Sequence, residues 1–194
     1  SNHPFCFPEG RAVTEQDIAG AGVAVYVLSR ISGEGSDRRK ERGDYELSRR
    51  EQEDLLFLNE KKIPVVLLLN TGGPVELTDI LEETENICAV LNISQLGQEG
   101  GRAVARILLG EAVPSGKLTT TWAKKYEDYP TAGNFLQDFN KAVYTEGIYV
   151  GYRYFDTFNV EPGYPFGYGL SYTTFALGNL EASLDEDTLV LGVT

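Results

Sequence analysis

One carboxylate in this sequence stands where a proton-transfer group could work. Glu34 lies between Gly33 and Gly35, in a polar stretch that follows an apolar run at 22–28. The flanking glycines remove side-chain bulk, so a substrate could approach the carboxyl group closely. A glutamic acid acts as a general acid when partial burial raises its pKa toward neutrality. The alternative interpretation is a solvent-exposed glutamate in an ordinary turn.

Two charged residues follow this glutamate, in the sequence SGEGSDR. Asp37 and Arg38 could support the loop so that Glu34 points correctly, because a guanidinium group binds carboxylates in a fixed geometry. The alternative is that both side chains are solvated, and the sequence leaves the two interpretations open. Glu34 alone does not suffice for glycosidic hydrolysis, since that reaction generally uses two carboxyl groups.

Other catalytic chemistries find little support in the sequence. A dinucleotide loop needs a third glycine and an immediate helix, but Arg38 stands at that position and a polar loop follows. The stretch GEAVPSGKL at 110–118 has five residues between its glycines, where a phosphate loop has four. With one histidine and two cysteines without CxxC spacing, neither a Ser-His-Asp triad nor a zinc site is expected. The sequence therefore predicts no metal and no cofactor.

Composition sets the class of protein. The 194 residues are 42% hydrophobic and 24% charged, with a net charge of −12, which is typical of one globular domain. No basic face is visible, so nucleic acid is not an expected partner. No apolar run reaches the length of a membrane span, and no signal peptide is recognisable, which leaves the compartment undetermined. Cys88 lies in an apolar run, and we predict a small buried thiol there.

Strand and helix patterns alternate through the first two thirds of the chain. Three apolar runs read as strands buried on both faces of a parallel sheet, at 22–28, 63–70 and 87–93. Ser48 and Thr14 are predicted helix N-caps. A fourth strand is predicted at 117–123, near an edge of the sheet. The order β-α-β-α-β-α-β predicts the α/β class, with an open, mostly parallel sheet and helices on both faces.

The C-terminal third differs from the rest of the chain in composition and pattern. Residues 144–172 hold seven of the eleven tyrosines, among glycines and prolines. We interpret this aromatic-rich extension as a segment that packs onto the sheet rather than one that stacks on sugars. Glu146, within it, is interpreted as structural. From residue 173 the sequence alternates like a pair of β-sandwich strands.

Five stretches, taken together and in order, resemble one known family. The chain resembles the C-terminal α/β-sandwich domain of glycoside hydrolase family 3, and the β-glucosidase branch most of all. The resemblance covers residues 14–175, with 1–13 as a junction and 176–194 as the start of a fibronectin-type-III-like domain. The stretches are SRISGEGSDR, NTGGPVEL, GQEGGRAVARILLGEAVPSGKL, YTEGIYVGYRYFD and YPFGYGLSYTTF.

This resemblance implies a retaining, exo-acting β-glycosidase whose active site is shared between two domains. A (β/α)8 barrel, absent from this sequence, would carry an aspartate nucleophile, and Glu34 would be the general acid/base. The implied substrate is a β-linked glucoside or oligosaccharide, and the isolated chain is expected to be inactive. The alternative is a non-catalytic module that supports the barrel or contacts carbohydrate.

Overall fold

The structure is a computed structural model that describes residues 10–31, 37–135, 137–138 and 140–194. Its first part alternates helices and strands: α1 (Glu15–Ile18), β1 (Ala24–Ser29), α2 (Arg49–Glu60), β2 (Val65–Asn70), α3 (Thr78–Glu83), β3 (Ile87–Asn92) and α4 (Gly100–Leu108). Shorter elements follow: β4 (Trp122–Ala123), a 3-10 turn (Tyr126–Asp128), α5 (Tyr152–Phe158), β5 (Pro162–Tyr164), β6 (Glu181–Asp185) and β7 (Thr188–Gly192).

Strands β1, β2 and β3 form a parallel sheet in that order. The pairing of β1 with β2 runs without a break from Ala24 opposite Val65 to Ser29 opposite Asn70. Parallel neighbours need crossover connections, and α2 and α3 lie in those connections. The predicted α/β class with a parallel sheet is confirmed.

The core lies between this sheet and the two crossover helices. Fully buried leucines dominate it, and each contributes roughly 1.5–3 kcal/mol of transfer free energy. Alternate residues of β1 and β2 meet α2 and α3 on one face of the sheet, which is why both helices share one core. Its buried members are Leu28, Leu55, Leu58, Val65, Leu67, Leu69, Val75, Leu77, Ile80 and Trp122.

Helix α2 begins where the sequence predicts, at Ser48. The Ser48 hydroxyl accepts a hydrogen bond from the Glu51 amide at 3.2 Å, and the Glu51 carboxylate accepts one from the Ser48 amide at 2.8 Å. This reciprocal capping box satisfies two backbone donors that a helix start leaves unpaired. Leu55 and Leu58, three residues apart, then face the core together.

Burial on both faces was predicted for all three strands, and it is wrong for β1 and β3. Val25 and Val27 of β1 are about half exposed, and Val90 of β3 is also exposed. Both are edge strands of the three-stranded sheet, whereas β2 lies between them and is mostly buried. Cys88, on edge strand β3, is exposed, so the predicted buried thiol is wrong as well.

The predicted fourth strand at 117–123 does not join the parallel sheet. Only Trp122 and Ala123 are extended as β4, and they pair antiparallel with β5 in a separate two-stranded sheet. The Trp122 ring contacts the Tyr164 ring edge-on, with centroids 6.2 Å apart. The pairing partner therefore comes from the aromatic extension, about forty residues further along the chain.

The aromatic extension packs on the sheet in part. Phe155 of α5 is 2% exposed, and Tyr164 packs against the core. Other rings of the extension, including Tyr144 and Tyr172, are largely exposed. Beyond it, β6 and β7 form an antiparallel hairpin, which confirms the predicted strand pair.

Candidate active-site loop

The loop between β1 and α2 contains all the residues that the sequence singles out for chemistry. Glu34 belongs to the segment 32–36, which is outside the described residues. The structure therefore describes the residues on either side of this segment and not the segment itself. Residues 30–31 lead into it and residues 37–47 follow it.

Arg30 holds the first end. It is 6% exposed, and its guanidinium makes a bidentate pair with the Glu51 carboxylate, both nitrogen–oxygen distances being 2.7 Å. Nε also donates to the Asp44 carbonyl at 2.6 Å. Because Glu51 is itself part of the α2 capping box, Arg30 connects the end of β1 to the start of α2.

Arg38 holds the second end. Its Nε donates to the Asp44 carboxylate at 2.6 Å, and Nη2 donates to the Asp44 carbonyl at 2.7 Å. Nη1 donates to the Pro74 carbonyl at 2.6 Å. The side chain is 17% exposed, so water screens these bonds partly. Asp37, next to it, is exposed.

Asp44 joins the two ends. Its carbonyl oxygen accepts from both arginines, and its carboxylate also accepts from the Arg39 amide at 2.7 Å. A single residue therefore fixes both ends of the segment that carries Glu34. Charge-assisted bonds of this kind are shorter and stronger than neutral ones. We call Arg30, Arg38 and Asp44 the loop anchor.

The loop after β2 forms the neighbouring wall, because the carboxyl ends of parallel strands lie at one edge of the sheet. Thr71 is buried, and its hydroxyl donates to the Gly73 carbonyl at 2.7 Å. A Cβ atom added to Gly73 would come to 3.3 Å from Arg38 Nη1, so a side chain there would crowd the arginine. The TGGP stretch thus gives the loop anchor both space and a carbonyl acceptor.

Burial raises the pKa values of two titratable groups next to the anchor. Burial raises the pKa of Glu76, although the bond that its carboxylate accepts from the Tyr126 amide at 3.0 Å opposes the rise. Burial also raises the pKa of Tyr45, with contributions from Tyr129. The Glu76 amide donates to the Tyr45 carbonyl at 2.9 Å, which joins the TGGP loop to residues 44–46.

Sequence reasoning names Arg38 but gives no role to Arg30, Asp44 or Pro74. Arg30 had a signal that could have revealed it, since it directly follows a strand that was predicted to be buried and a guanidinium there needs a partner. The capping residue Glu51 offered the partner. The sequence contained no such signal for Pro74, because its contribution is a backbone carbonyl that only folding brings close to Arg38.

No metal cluster is found among the described residues, where no three histidine, cysteine, aspartate or glutamate side chains come together. In the same part of the chain, no helix combines the length and apolar character that crossing a membrane requires.

Comparisons with known proteins match this arrangement to one family. The profile described as the glycosyl hydrolase family 3 C-terminal domain matches residues 8–152. Beta-glucosidase A of Butyrivibrio fibrisolvens is 40% identical over 187 residues, covering 84% of this chain and 22% of that protein. The beta-glucosidase of Ruminococcus albus is 35% identical over 192 residues, covering 97% of this chain and 20% of that protein.

Comparison with solved structures also identifies beta-glucosidases as similar proteins. Beta-glucosidase 3B from Thermotoga neapolitana superposes with a TM-score of 0.79 at 43% identity, covering 93% of this chain and 26% of that one. A beta-glucosidase from Paenibacillus barengoltzii superposes with a TM-score of 0.82 at 34% identity, covering 95% of this chain and 21% of that one. This chain thus spans about a fifth to a quarter of the length of these relatives. The predicted resemblance is confirmed, and the chain belongs to glycosyl hydrolase family 3, whose C-terminal domain it carries.

Proposed function

We propose that this chain supplies the general acid/base of a retaining β-glucosidase, with Glu34 as the proton-transfer group. The rest of the active site, including an aspartate nucleophile, would come from a (β/α)8 barrel elsewhere in the polypeptide. The names of the relatives support the glucosidase class, and the fraction of their length that this chain covers supports a missing domain.

The observation that carries the proposal is the loop anchor. Arg30 and Arg38 hold the two ends of the segment 32–36 through the same Asp44 carbonyl. An ordinary surface turn does not need a buried arginine and a bidentate ion pair at its base. A loop that must present one carboxyl group in a fixed place does, because small misplacements of a catalytic group cost large factors in rate.

The chemistry follows from two carboxyl groups on opposite sides of one bond. Glu34, protonated, would donate its proton to the glycosidic oxygen while the nucleophile attacks the anomeric carbon. Glu34, now a carboxylate, would take a proton from the water that hydrolyses the glycosyl-enzyme. Within this scheme Arg38 is a positioning residue, and Asp37, which is exposed, is a further support of the loop.

A non-catalytic role is the second candidate, and one observation favours it. Several large apolar side chains of the described chain are exposed, among them Val25, Val27 and Tyr144. Val25 and Val27 lie on the same face of β1, and exposed apolar side chains that lie side by side are typical of a face that contacts other polypeptide. Such a module would support the barrel without transferring a proton.

The experiment that separates these candidates uses the full-length polypeptide. We expect Glu34→Ala to lower kcat/KM for cellobiose by about 10²–10⁴-fold, because departure of a sugar alkoxide needs protonation. The loss should be far smaller for 2,4-dinitrophenyl β-glucoside, whose leaving group needs no proton. Glu41→Ala, an exposed glutamate on the same loop, is the matched control and should change neither rate. Equal rates of wild type and Glu34→Ala on cellobiose would contradict the acid/base role of Glu34 and favour the non-catalytic supporting role.

A further inference from the structure

The loop that contains the anchor packs against a distant part of the chain. Tyr45, which directly follows Asp44, is 8% exposed, and its ring meets the Tyr126 ring edge-on with centroids 5.3 Å apart. The Lys40 ammonium lies 5.4 Å from the centre of the same Tyr126 ring and pairs with the Glu127 carboxylate. The loop therefore contacts the 3-10 turn, although Lys40 and Glu127 are 87 positions apart in the sequence.

Backbone groups join the same turn to the loop. The Tyr126 amide donates to the Glu76 carboxylate at 3.0 Å, and the Glu76 amide donates to the Tyr45 carbonyl at 2.9 Å. Glu76 lies two residues after Pro74, whose carbonyl binds Arg38. Tyr126 is therefore connected to the loop anchor twice, through its ring to Tyr45 and through its amide to Glu76.

The turn is itself held in place, so it can support the loop. On its C-terminal side, the Tyr129 hydroxyl accepts a hydrogen bond from the Ala123 amide of β4 at 3.1 Å. On its N-terminal side, the Thr78 hydroxyl at the start of α3 donates to the Lys124 carbonyl at 2.8 Å. Both flanks of the turn are thus bonded to other elements of the domain.

The Lys40 contacts are too exposed to contribute much to the stability of the whole domain. The side chains of Lys40 and Glu127 are 38% and 61% exposed, and water screens such ion pairs strongly. Their effect is local, because they restrict where the residues around Asp44 lie. A contact of this kind is expected to affect activity more than stability.

Asp44 is the residue through which such a restriction acts on the active-site loop. Its carbonyl accepts from Arg30 at 2.6 Å and from Arg38 at 2.7 Å, at the two ends of the segment 32–36. A displacement of Tyr45 moves this carbonyl, because the two residues share a peptide bond. Both ends of the segment would then shift, and misplacement of a catalytic group by about 1 Å can cost about 10²-fold in rate.

We propose that Tyr126 and Lys40 are positioning residues, which hold the loop anchor against the 3-10 turn so that Glu34 is presented to the glycosidic oxygen. Both act through Asp44 rather than on the substrate. The inference rests on the proposed acid/base role of Glu34 and extends the functional unit to a turn that the sequence gives no role.

The test uses the full-length polypeptide and two substrates that differ in their need for a proton. We expect Tyr126→Leu to lower kcat/KM for cellobiose about tenfold, because Glu34 is misplaced. The value for 2,4-dinitrophenyl β-glucoside should fall less than about twofold, since that leaving group needs no protonation. Tyr126→Phe keeps the ring and its contacts, so both values should stay within about twofold of wild type.

Lys40→Met examines the same support at an exposed position and keeps the proposal testable if Tyr126→Leu does not fold. We expect it to lower kcat/KM for cellobiose about threefold, the size of a lost cation–π contact. Lys61→Met is the matched control, because Lys61 also pairs with a carboxylate, that of Glu15, and lies 5.5 Å from the centre of the Phe57 ring. Lys61 is at the end of α2 that lies away from the loop, so this control should leave both substrates unaffected.

The Glu34→Ala background separates placement of the carboxyl group from general damage to the site. Residues that act through one group do not have additive effects. Adding Tyr126→Leu to Glu34→Ala should therefore lower kcat/KM for cellobiose by less than about twofold further.

The outcomes distinguish this inference from the proposed function. A Glu34→Ala enzyme with wild-type kcat/KM for cellobiose would overturn the acid/base role, and the positioning role with it. If Glu34→Ala is impaired, wild-type values in folded Tyr126→Leu and Lys40→Met would overturn the positioning role alone. A loss in Tyr126→Leu that is equal for both substrates, or undiminished in the Glu34→Ala background, would also overturn it, because the turn would then support the fold in general.

Discussion

Arg30 and Arg38 differ in how far their charges are withdrawn from water. The Arg30 side chain is 3% exposed beside Glu51, whereas that of Arg38 is 17% exposed beside Asp44. Removing one partner of a buried ion pair leaves an uncompensated charge, and that is costly. The two ends of the candidate active-site loop therefore differ in burial, and we expect Arg30 to contribute more to stability and Arg38 more to placement of the loop.

Arg30→Met tests this difference. We expect it to lower the free energy of unfolding by about 3–5 kcal/mol, because the Glu51 carboxylate, whose side chain is only 16% exposed, would lose its cationic partner. Urea denaturation is the measurement. Arg49→Met, at an exposed residue that pairs with Glu53 on the helix surface, is the control and should change stability by less than about 0.5 kcal/mol. Equal effects of both variants would contradict the account of Arg30.

Glu76 gives a prediction on pH. Burial raises its pKa in the folded chain above the ordinary value of 4.5. Above pH 4.5 the folded chain therefore binds more protons here than the unfolded chain does, and stability falls as the pH rises through the folded pKa. Glu76→Gln keeps an acceptor for the Tyr126 amide and removes this loss.

The stability of Glu76→Gln relative to wild type should thus increase from pH 4 to pH 7. Thermal unfolding at a series of pH values measures it, with Glu41→Gln, on an exposed residue, as the control. A difference that is constant with pH would show that the carboxyl group does not titrate differently on folding.

At the scale of elements, the second glycine of FGYGL is required by a close backbone contact. The Leu118 amide donates to the Tyr168 carbonyl at 2.8 Å, and the Gly167 amide donates back to the Leu118 carbonyl at 2.8 Å. A Cβ atom on Gly169 would lie 2.5 Å from the Gly116 carbonyl oxygen. The aromatic extension can pair with residues 116–118 only if residue 169 lacks a side chain.

Gly169→Ala should therefore lower the free energy of unfolding by about 1–3 kcal/mol, the usual cost of overpacking. Gly178→Ala is the matched control, since a Cβ atom there meets no atom within 4 Å. Calorimetric Tm values compare the two variants. A Gly169→Ala chain as stable as the control would mean that the two segments do not approach so closely.

What the sequence could predict depended on how local each signal was. The α2 start followed from Ser48 and Glu51, three residues apart, and β2 from one continuous apolar run. The partner of β4 could not be predicted, because it lies about forty residues away in a segment without strand periodicity. Arg30 was missed although the capping residue Glu51 offered a partner, because its acceptors Asp44 and Glu51 lie 14 and 21 residues further along the chain.

On the scale of the whole molecule, this chain corresponds to about a fifth to a quarter of the length of its β-glucosidase relatives. Glycosidic hydrolysis needs a second carboxyl group on the far side of the anomeric carbon. We therefore expect the 194-residue chain alone to show no hydrolysis of 4-nitrophenyl β-glucoside above the uncatalysed rate. Measurable turnover that survives repeated purification would contradict the proposed division of the active site.

The most direct test of the central claim is azide rescue of Glu34→Ala in the full-length polypeptide. With 2,4-dinitrophenyl β-glucoside, the glycosyl-enzyme should form and then accumulate, because no general base activates the water that hydrolyses it. Azide needs no base, so it should raise the turnover rate and yield β-glucosyl azide with retained configuration. A Glu34→Ala enzyme whose rate is unaffected by azide, and which releases only glucose, would contradict the assignment of Glu34 as the general acid/base.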